Sequence, residues 1–342
     1  MADTAKKMHG LDKRRGLRVL QRFKEEAISG VTDPKLLEVL RFVIDYWKDY
    51  FRPAFASLCC EAVGGRTEAA DEVSLMITLM SAGGGIHDDI VDKSIHKHFR
   101  MTVLGEYGID VAVLVGDLLI LKGWILARNL VEKYSQPRKL HEVIEALGCW
   151  TLDVCEAEFM EMQCRQNLET RLEHYQGILS KSMADTTACA RLGAIIGGGS
   201  ESEIQELARF GNRLGFMYRL TDDLKDALNV ELNLSDRLRY ESVPLPILYA
   251  AKQSEKWKND IREILEASVE NGFNLEKLFT ICVEAQAFDY VLKLGKNVAK
   301  EARGNIAKLN NSSAKNTLAS MVESSFVEIT NLTKVIKLPT RF

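Results

Sequence analysis

Apolar residues recur at i, i+3, i+4 and i+7 along nearly the whole chain, the spacing that lines one face of an α-helix. The runs LLEVLRFVIDYWKDYF, ADEVSLMITLMSAGGGIHDDIVD, VAVLVGDLLILKGWILARNLVEKY and KLHEVIEALGCWTLDVCEAEFMEMQCRQ carry it most clearly. Sustained strict alternation, the signature of a half-buried strand, is absent. Several runs are apolar on more than one face, which predicts helices buried in the middle of a bundle. Punctuation is sparse: Asp33-Pro34, Gly64-Gly65, Gln136-Pro137, Gly197 to Gly199, and Pro244 to Pro246. These breaks divide the chain into roughly ten to thirteen helices. No shift in composition marks a boundary, so the expectation is one all-α domain over residues 1–342.

Composition narrows the class. The 342 residues are 46% hydrophobic and 27% charged, with only six prolines, which fits one large globular domain and excludes disordered or collagen-like chains. Lys and Arg total 45 against 48 Asp and Glu, a net charge of −3, so no broad basic field exists to hold nucleic acid. The short run holding Lys13, Arg14, Arg15 and Arg18 reads as a solvated helix face. Seven cysteines without a C-x-x-C pair, and an N-terminus lacking an apolar leader, point to reduced thiols in the cytosol. No apolar stretch is long enough for a transmembrane segment.

The candidate chemistry lies in two repeated acidic runs. IHDDIVD at 86–92 and TDDLKDA at 221–227 each contain Asp-Asp-x-x-Asp and each closes an apolar helix. A residue turns about 100° around a helix, so Asp88 and Asp92 share a face, as do Asp222 and Asp226, with Asp89 and Asp223 displaced around the axis. Like charges at i, i+4 repel. Aspartate is a poor helix former and is rarely buried unless paired, so two such clusters in apolar helices call for a cation. A hard divalent ion with oxygen ligands suits them, and magnesium commonly takes one or two carboxylates plus substrate phosphates. His87 beside these aspartates suits a structural role better, because magnesium prefers oxygen. Asp117, inside an apolar helix, reads as a bridge between helices.

At these residues the sequence resembles the trans-isoprenyl (all-E polyprenyl) diphosphate synthases, from about Tyr50 to Ala250. Arg52-Pro53 is similar to the end of that family's GGKxxRP element, and His87 to Asp92 to its first aspartate-rich motif. Thr102-Val103, Ala112 to Asp117, Cys155 to Glu158, Tyr175 with Ile178 and Lys181, Arg191 to Ala194, Gly215 to Asp226, and Leu245 to Ala250 follow in the family's order. The resemblance implies an isoprenoid-synthase-type bundle around an apolar cavity, usually a homodimer, with three magnesium ions. It implies that an allylic diphosphate ionises and its carbocation alkylates isopentenyl diphosphate. Asp88, Asp89, Asp92 and Asp222 would be catalytic, with Asp223 and Asp226 completing the metal set. Lys181 would serve catalysis and, with Arg52, Lys97, His98 and Arg219, the binding of diphosphate. Gly83 and Gly84 would leave the chain-length pocket open, with Met80 and then Met76 as its floor, although close helix packing also explains glycines there.

The sequence departs from the family on the isopentenyl side. The family's Lys position is Asp49, a His position is Ser81, and an Arg pair is replaced by Lys97-His98. Phe-Gln before the second motif reads Tyr218-Arg219, and a later Gly-Lys reads Glu241-Ser242. An aspartate opposes a diphosphate, and Lys or His lacks the bidentate Arg fork. Three readings stay open: a synthase whose isopentenyl pocket uses other cations such as Lys48 or Arg100; a terpene-synthase-like lyase, cyclase or other transferase; or a regulatory subunit of a heteromeric synthase.

Overall fold

The computed structural model describes residues 14–97, 100–133, 137–230, 234–271 and 273–335. Sixteen α-helices carry the chain among these residues. In order they are α1 (Arg14–Ile28), α2 (Pro34–Tyr46), α3 (Phe51–Ala62), α4 (Asp71–Val91), α5 (Val103–Tyr107), α6 (Ile109–Lys133), α7 (Pro137–Gln163) and α8 (Leu172–Ser182). There follow α9 (Ala184–Gly197), α10 (Glu201–Ala227), α11 (Leu234–Tyr240), α12 (Leu245–Gln253), α13 (Glu255–Asn271), α14 (Leu275–Glu284), α15 (Ala287–Ala307) and α16 (Ser313–Val335). A 3₁₀ turn at Thr67–Ala70 precedes α4, and a two-residue hairpin, β1 (His96–Lys97) against β2 (Arg100–Met101), follows it. The all-α expectation holds. The helix count exceeds it because α5, α11 and α12 are too short for periodicity to register. No helix among the described residues is long and apolar enough to cross a membrane.

The described residues fall into two compact units. The first comprises residues up to Trp150, Asp185–Gly211 and Asn305–Met321. Its local starts follow capping chemistry: the Asp33 carboxylate accepts from Leu36 N–H, Pro34 takes the first helical position, and Thr102 Oγ1 accepts from Gly105 N–H to open α5. Within it α4 packs along α6 at backbone range. A Cβ at Gly83 would collide with the Gly116 carbonyl oxygen, and one at Gly123 with the Met80 side chain. The space expected to open a chain-length pocket at Gly83 and Met80 is therefore filled by α6. Gly84, turned about 100° away, has nothing within 4 Å of its would-be Cβ. Arg14 and Arg18 of α1 are exposed, as a solvated face requires, and the arginines carry surface ion pairs: Arg15 pairs with Glu61, Arg18 with Asp71 at 3.2 Å and Arg22 with Glu72 at 2.9 Å. Lys13 lies outside the described residues.

The second unit comprises Thr151–Ala184, Asn212–Gly304 and the residues from Val322 on. Its core joins Leu214, Leu220 and Leu224 of α10 with Ile247 and Leu248 of α12, Val291 of α15 and Ile329 of α16, all essentially closed to solvent. Tyr249 stacks on Tyr290 with ring centroids 4.1 Å apart, and Gln176 of α8 donates to the Tyr290 hydroxyl at 2.8 Å. All seven cysteines are free thiols; Cys149 and Cys155 are exposed and the others buried.

Close α4–α6 packing has a measurable consequence. Gly83→Ala forces a methyl into the Gly116 backbone and is expected to lower stability by about 1–3 kcal/mol. Gly84→Ala, in open space on a helix, is expected to raise it by about 0.5–1 kcal/mol. Thermal unfolding of the two variants followed by circular dichroism distinguishes them, and equal melting temperatures would contradict the packing.

Candidate active site

The first aspartate motif ends α4 in the first unit. Asp92 is the C-cap, its N–H donating to the Asp88 carbonyl at 2.9 Å. Asp88 is about a third exposed, whereas Asp89 is buried. Lys97, one strand later, sets its Nζ 2.8 Å from Asp88 Oδ2 and 2.8 Å from Asp89 Oδ1. Burial pushes the Asp89 carboxyl up to about 6, against the pull of Lys97. Burial alone would depress the Lys97 ammonium, yet the two aspartates raise it well above its ordinary value. His98, expected beside Lys97, lies outside the described residues. His87 Nε2 lies 3.3 Å from the Val113 carbonyl oxygen and 3.4 Å from Asp117 Oδ1, so His87 and Asp117 bridge α4 and α6 as expected.

The second motif ends α10 in the second unit and repeats the division of labour. Asp222 is partly exposed, 3.8 Å from Lys225, while Asp223 is 1% exposed. Asp223 Oδ2 accepts from Tyr175 OH at 3.1 Å and from Leu245 N–H at 2.9 Å, and Oδ1 lies 3.4 Å from Arg237 Nη2. Its lone pairs are taken by the protein, so it locks α8, α11 and α12 to α10. Asp226 is half-buried, 3.8 Å from Arg237, and desolvation lifts its carboxyl to about 7 despite that arginine.

Arg237 belongs to a buried network invisible to motif reading. It pairs with Glu241 and reaches Glu161 at 3.4 Å, while Ser242 Oγ donates to Glu161 at 2.6 Å. Arg219, expected on the diphosphate, lies 3.3 Å from Glu161 instead. Burial works to raise the Glu161 carboxyl, but Arg219 and Arg237 hold it below the ordinary range. The sequence signal was a glutamate inside an apolar helix matched by an arginine inside another. Lys181 is likewise engaged, with Glu156 and with Asp153 at 3.4 Å.

The isopentenyl-side residues of the first unit are also closed on themselves. Asp49 Oδ1 caps α3, accepting from Phe51 N–H at 3.0 Å and Arg52 N–H at 3.2 Å, and its Oδ2 lies 2.7 Å from Arg52 Nη1. Asp185 Oδ2 takes the other edge of the guanidinium, 2.7 Å from Nε and 2.6 Å from Nη2. Arg100 is held over the Phe42 and Tyr46 rings, 4.7 Å from each centroid, and Lys48 is exposed. Ser81 is buried, its hydroxyl without a hydrogen-bond partner among the described residues.

The carboxylates fit a hard cation. Asp88 and Asp92 stand one turn apart, as do Asp222 and Asp226, and all offer oxygen. Among the described residues no three His, Cys, Asp or Glu side chains converge to hold a metal by themselves. A cleft of about 490 Å³ beside Glu169 and Arg262 contains none of these residues.

The fold is that of polyprenyl synthases. It superposes with TM-score 0.81 on a decaprenyl diphosphate synthase from Rhodobacter capsulatus, at 22% identity over 92% of this chain and 97% of the other. The polyprenyl synthetase family model matches residues 34–282, and the chain belongs to that family, a trans-prenyltransferase. It is 27% identical to a short chain isoprenyl diphosphate synthase of Methanothermobacter thermautotrophicus over 87% of this chain and 92% of the relative. It is 25% identical to an octaprenyl diphosphate synthase of Haemophilus influenzae, over 79% of this chain and 81% of the relative.

The Arg237 network predicts an asymmetric response. Arg237→Ala leaves Asp223 and Glu161 short of a buried partner and is expected to cost about 3–5 kcal/mol. Ser242→Ala, which removes one hydroxyl, is expected to cost about 1 kcal/mol. Urea unfolding of the two variants reads both values, and a mild Arg237→Ala would overturn the network's role.

Proposed function

We propose that this chain is a magnesium-dependent prenyl diphosphate synthase, working as one all-α catalytic domain, that ionises an allylic diphosphate and condenses it with isopentenyl diphosphate. The observation that carries this reading is the matched pair of motifs, each presenting a partly exposed leading aspartate, Asp88 or Asp222, over a buried neighbour held by protein cations. Asp88 and Asp92 in one motif, and Asp222 and Asp226 in the other, are the proposed metal ligands; Asp223 is structural. Bound there, magnesium would neutralise charge growing on the departing diphosphate. Asp226 must be ionised to ligate, so binding is favoured above its raised pKa. Lys181 can turn from Glu156 onto phosphate oxygens, adding positive charge to the same group. Apolar walls would keep water from the cation.

A second reading is favoured by Arg52. Two carboxylates on one guanidinium leave a net negative group where isopentenyl diphosphate would dock, which suits an enzyme that ionises the allylic diphosphate and captures or eliminates the cation without that extender. We also propose a homodimer. Leu114, Leu121 and Ile125 form an apolar stripe on α6, each more than half exposed, of a kind monomers seldom leave open.

Purified protein with magnesium, a labelled allylic diphosphate and isopentenyl diphosphate is expected to yield a longer diphosphate. Diphosphate release without isopentenyl diphosphate would favour the second reading, and activity only on adding a partner synthase would favour a regulatory subunit. Asp88→Ala and Asp222→Ala are each expected to abolish turnover; undiminished turnover would sink the metal assignment. In the same assay Gly84→Phe is expected to shorten the product. For the dimer, Leu114→Asp combined with Leu121→Asp is expected to halve the mass measured by light scattering, and an unchanged mass argues against that face.

A further inference from the structure

Lys97 holds a position between the Asp88 and Asp89 carboxylates that its surroundings fix from both sides. Its strand pairs with β2, with Lys97 opposite Arg100 and His96 opposite Met101. Arg100 is anchored by the rings of Phe42 and Tyr46 and by the Phe42 carbonyl at 3.5 Å. On the other side Ser94 N–H donates to the Asp89 carbonyl at 2.8 Å. Thr102 closes the segment, its hydroxyl donating to the Ser94 carbonyl at 2.7 Å and its N–H to the Ile95 carbonyl at 2.9 Å. Gly105 allows this closure, since a Cβ there would meet the Ile95 carbonyl. The hairpin is thus fastened to α2, to the end of α4 and to α5, and it delivers the ammonium to one place.

The two carboxylates under that ammonium differ. Asp89 is buried, so removing its cation would leave an uncompensated charge away from water. Asp88 is about a third exposed and can exchange one cation for another. A divalent ion arriving at Asp88 would stand a few ångströms from a lysine of the same sign and repel it.

We infer that Lys97 is a tethered counter-cation on the first aspartate motif: Asp89 is its permanent anchor, and Asp88 is the contact it yields to the metal. Lys97 then competes with a bare divalent ion. Once that ion is bound together with a diphosphate, the ammonium held by Asp89 adds its charge to the phosphate oxygens. Metal binding is weakened alone and strengthened with diphosphate, a coupling between two ligands set by one side chain. Asp89 is in this account a positioning residue rather than a ligand. The inference rests on the reading of Asp88 as a metal ligand.

The test uses the full chain and Mn²⁺ as a paramagnetic stand-in, with free ion measured by electron paramagnetic resonance. Lys97→Met is expected to bind Mn²⁺ about tenfold more tightly than the unaltered protein when no diphosphate is present. In saturating Mg²⁺, calorimetric titration with inorganic diphosphate is expected to show about tenfold weaker binding to the same variant. Lys97→Gln, which keeps a donor for Asp89 without the charge, gives the same pair of shifts if the methionine variant fails to fold. Unchanged or weaker Mn²⁺ binding in both variants overturns the counter-cation role while leaving the metal reading intact. Asp88→Asn that binds Mn²⁺ as tightly as the unaltered protein overturns the metal reading, and the inference with it.

Discussion

Burying one carboxylate of each aspartate pair is possible only because the segment that follows the helix folds back and delivers a cation, and much of the local architecture follows from that requirement. Asp89 has Lys97, brought by a two-residue hairpin whose other cation is clamped between aromatic rings. Asp223 has Arg237, brought by α11, together with Tyr175 from α8 and the first N–H of α12. A charge transferred from water into a helical core costs several kcal/mol unless it is paired and hydrogen-bonded. The buried member of each pair therefore fixes the chain around it, and the leading member, Asp88 or Asp222, remains partly exposed at a helix end whose position is already set. A site of this construction is rigid where it meets the fold and adjustable where it meets a ligand.

The periodicity of apolar positions was enough to read an all-α fold, because a repeat of 3.6 residues sustained over twenty positions is the mark of a helix and not of a strand. The short helices α5, α11 and α12 escaped it, and Arg237 escaped with them. The face-sharing of Asp88 with Asp92 could be read from helix geometry, as could the displacement of Asp89 and Asp223. What stayed hidden was which neighbour each aspartate meets, since Arg237 lies 14 residues from Asp223 and Glu161 lies 58 from Arg219. Long-range pairing leaves no periodic trace. Gly83 and Gly84 make the same point at one-residue resolution: neighbours on a helix face directions about 100° apart, and only the position of α6 decides which of them is packed and which is open.

The candidate cations of the two units share a further property. Arg52, Lys97, Lys181 and Arg219 all rest on carboxylates. Their partners differ in how readily they let go. Lys181 is paired to exposed Glu156 and Asp153, contacts worth at most about 1 kcal/mol and easily exchanged for phosphate. Arg219 and Glu161 are both mostly shielded from water, so freeing that arginine would leave a largely desolvated glutamate short of a partner, and the pair ties α10 to α7.

Arg52 falls on the side of the enclosed pairs, and this bears most on which acceptor the enzyme takes. Both partners are buried, and Asp49 also caps α3 while Asp185 is fastened by Thr186 N–H at 2.6 Å. Neither carboxylate can leave without losing backbone contacts of its own. An incoming diphosphate would therefore meet a guanidinium whose charge is already more than balanced, and would have to bring its own counter-charge or bind elsewhere. A metal-bound allylic diphosphate satisfies the first condition, since its charge is largely neutralised by the ions it carries. A bare isopentenyl diphosphate does not. The asymmetry between the two halves of the proposed reaction is thus built into which carboxylates are exposed and which are buried, and an isopentenyl diphosphate acceptor would be held by cations other than Arg52.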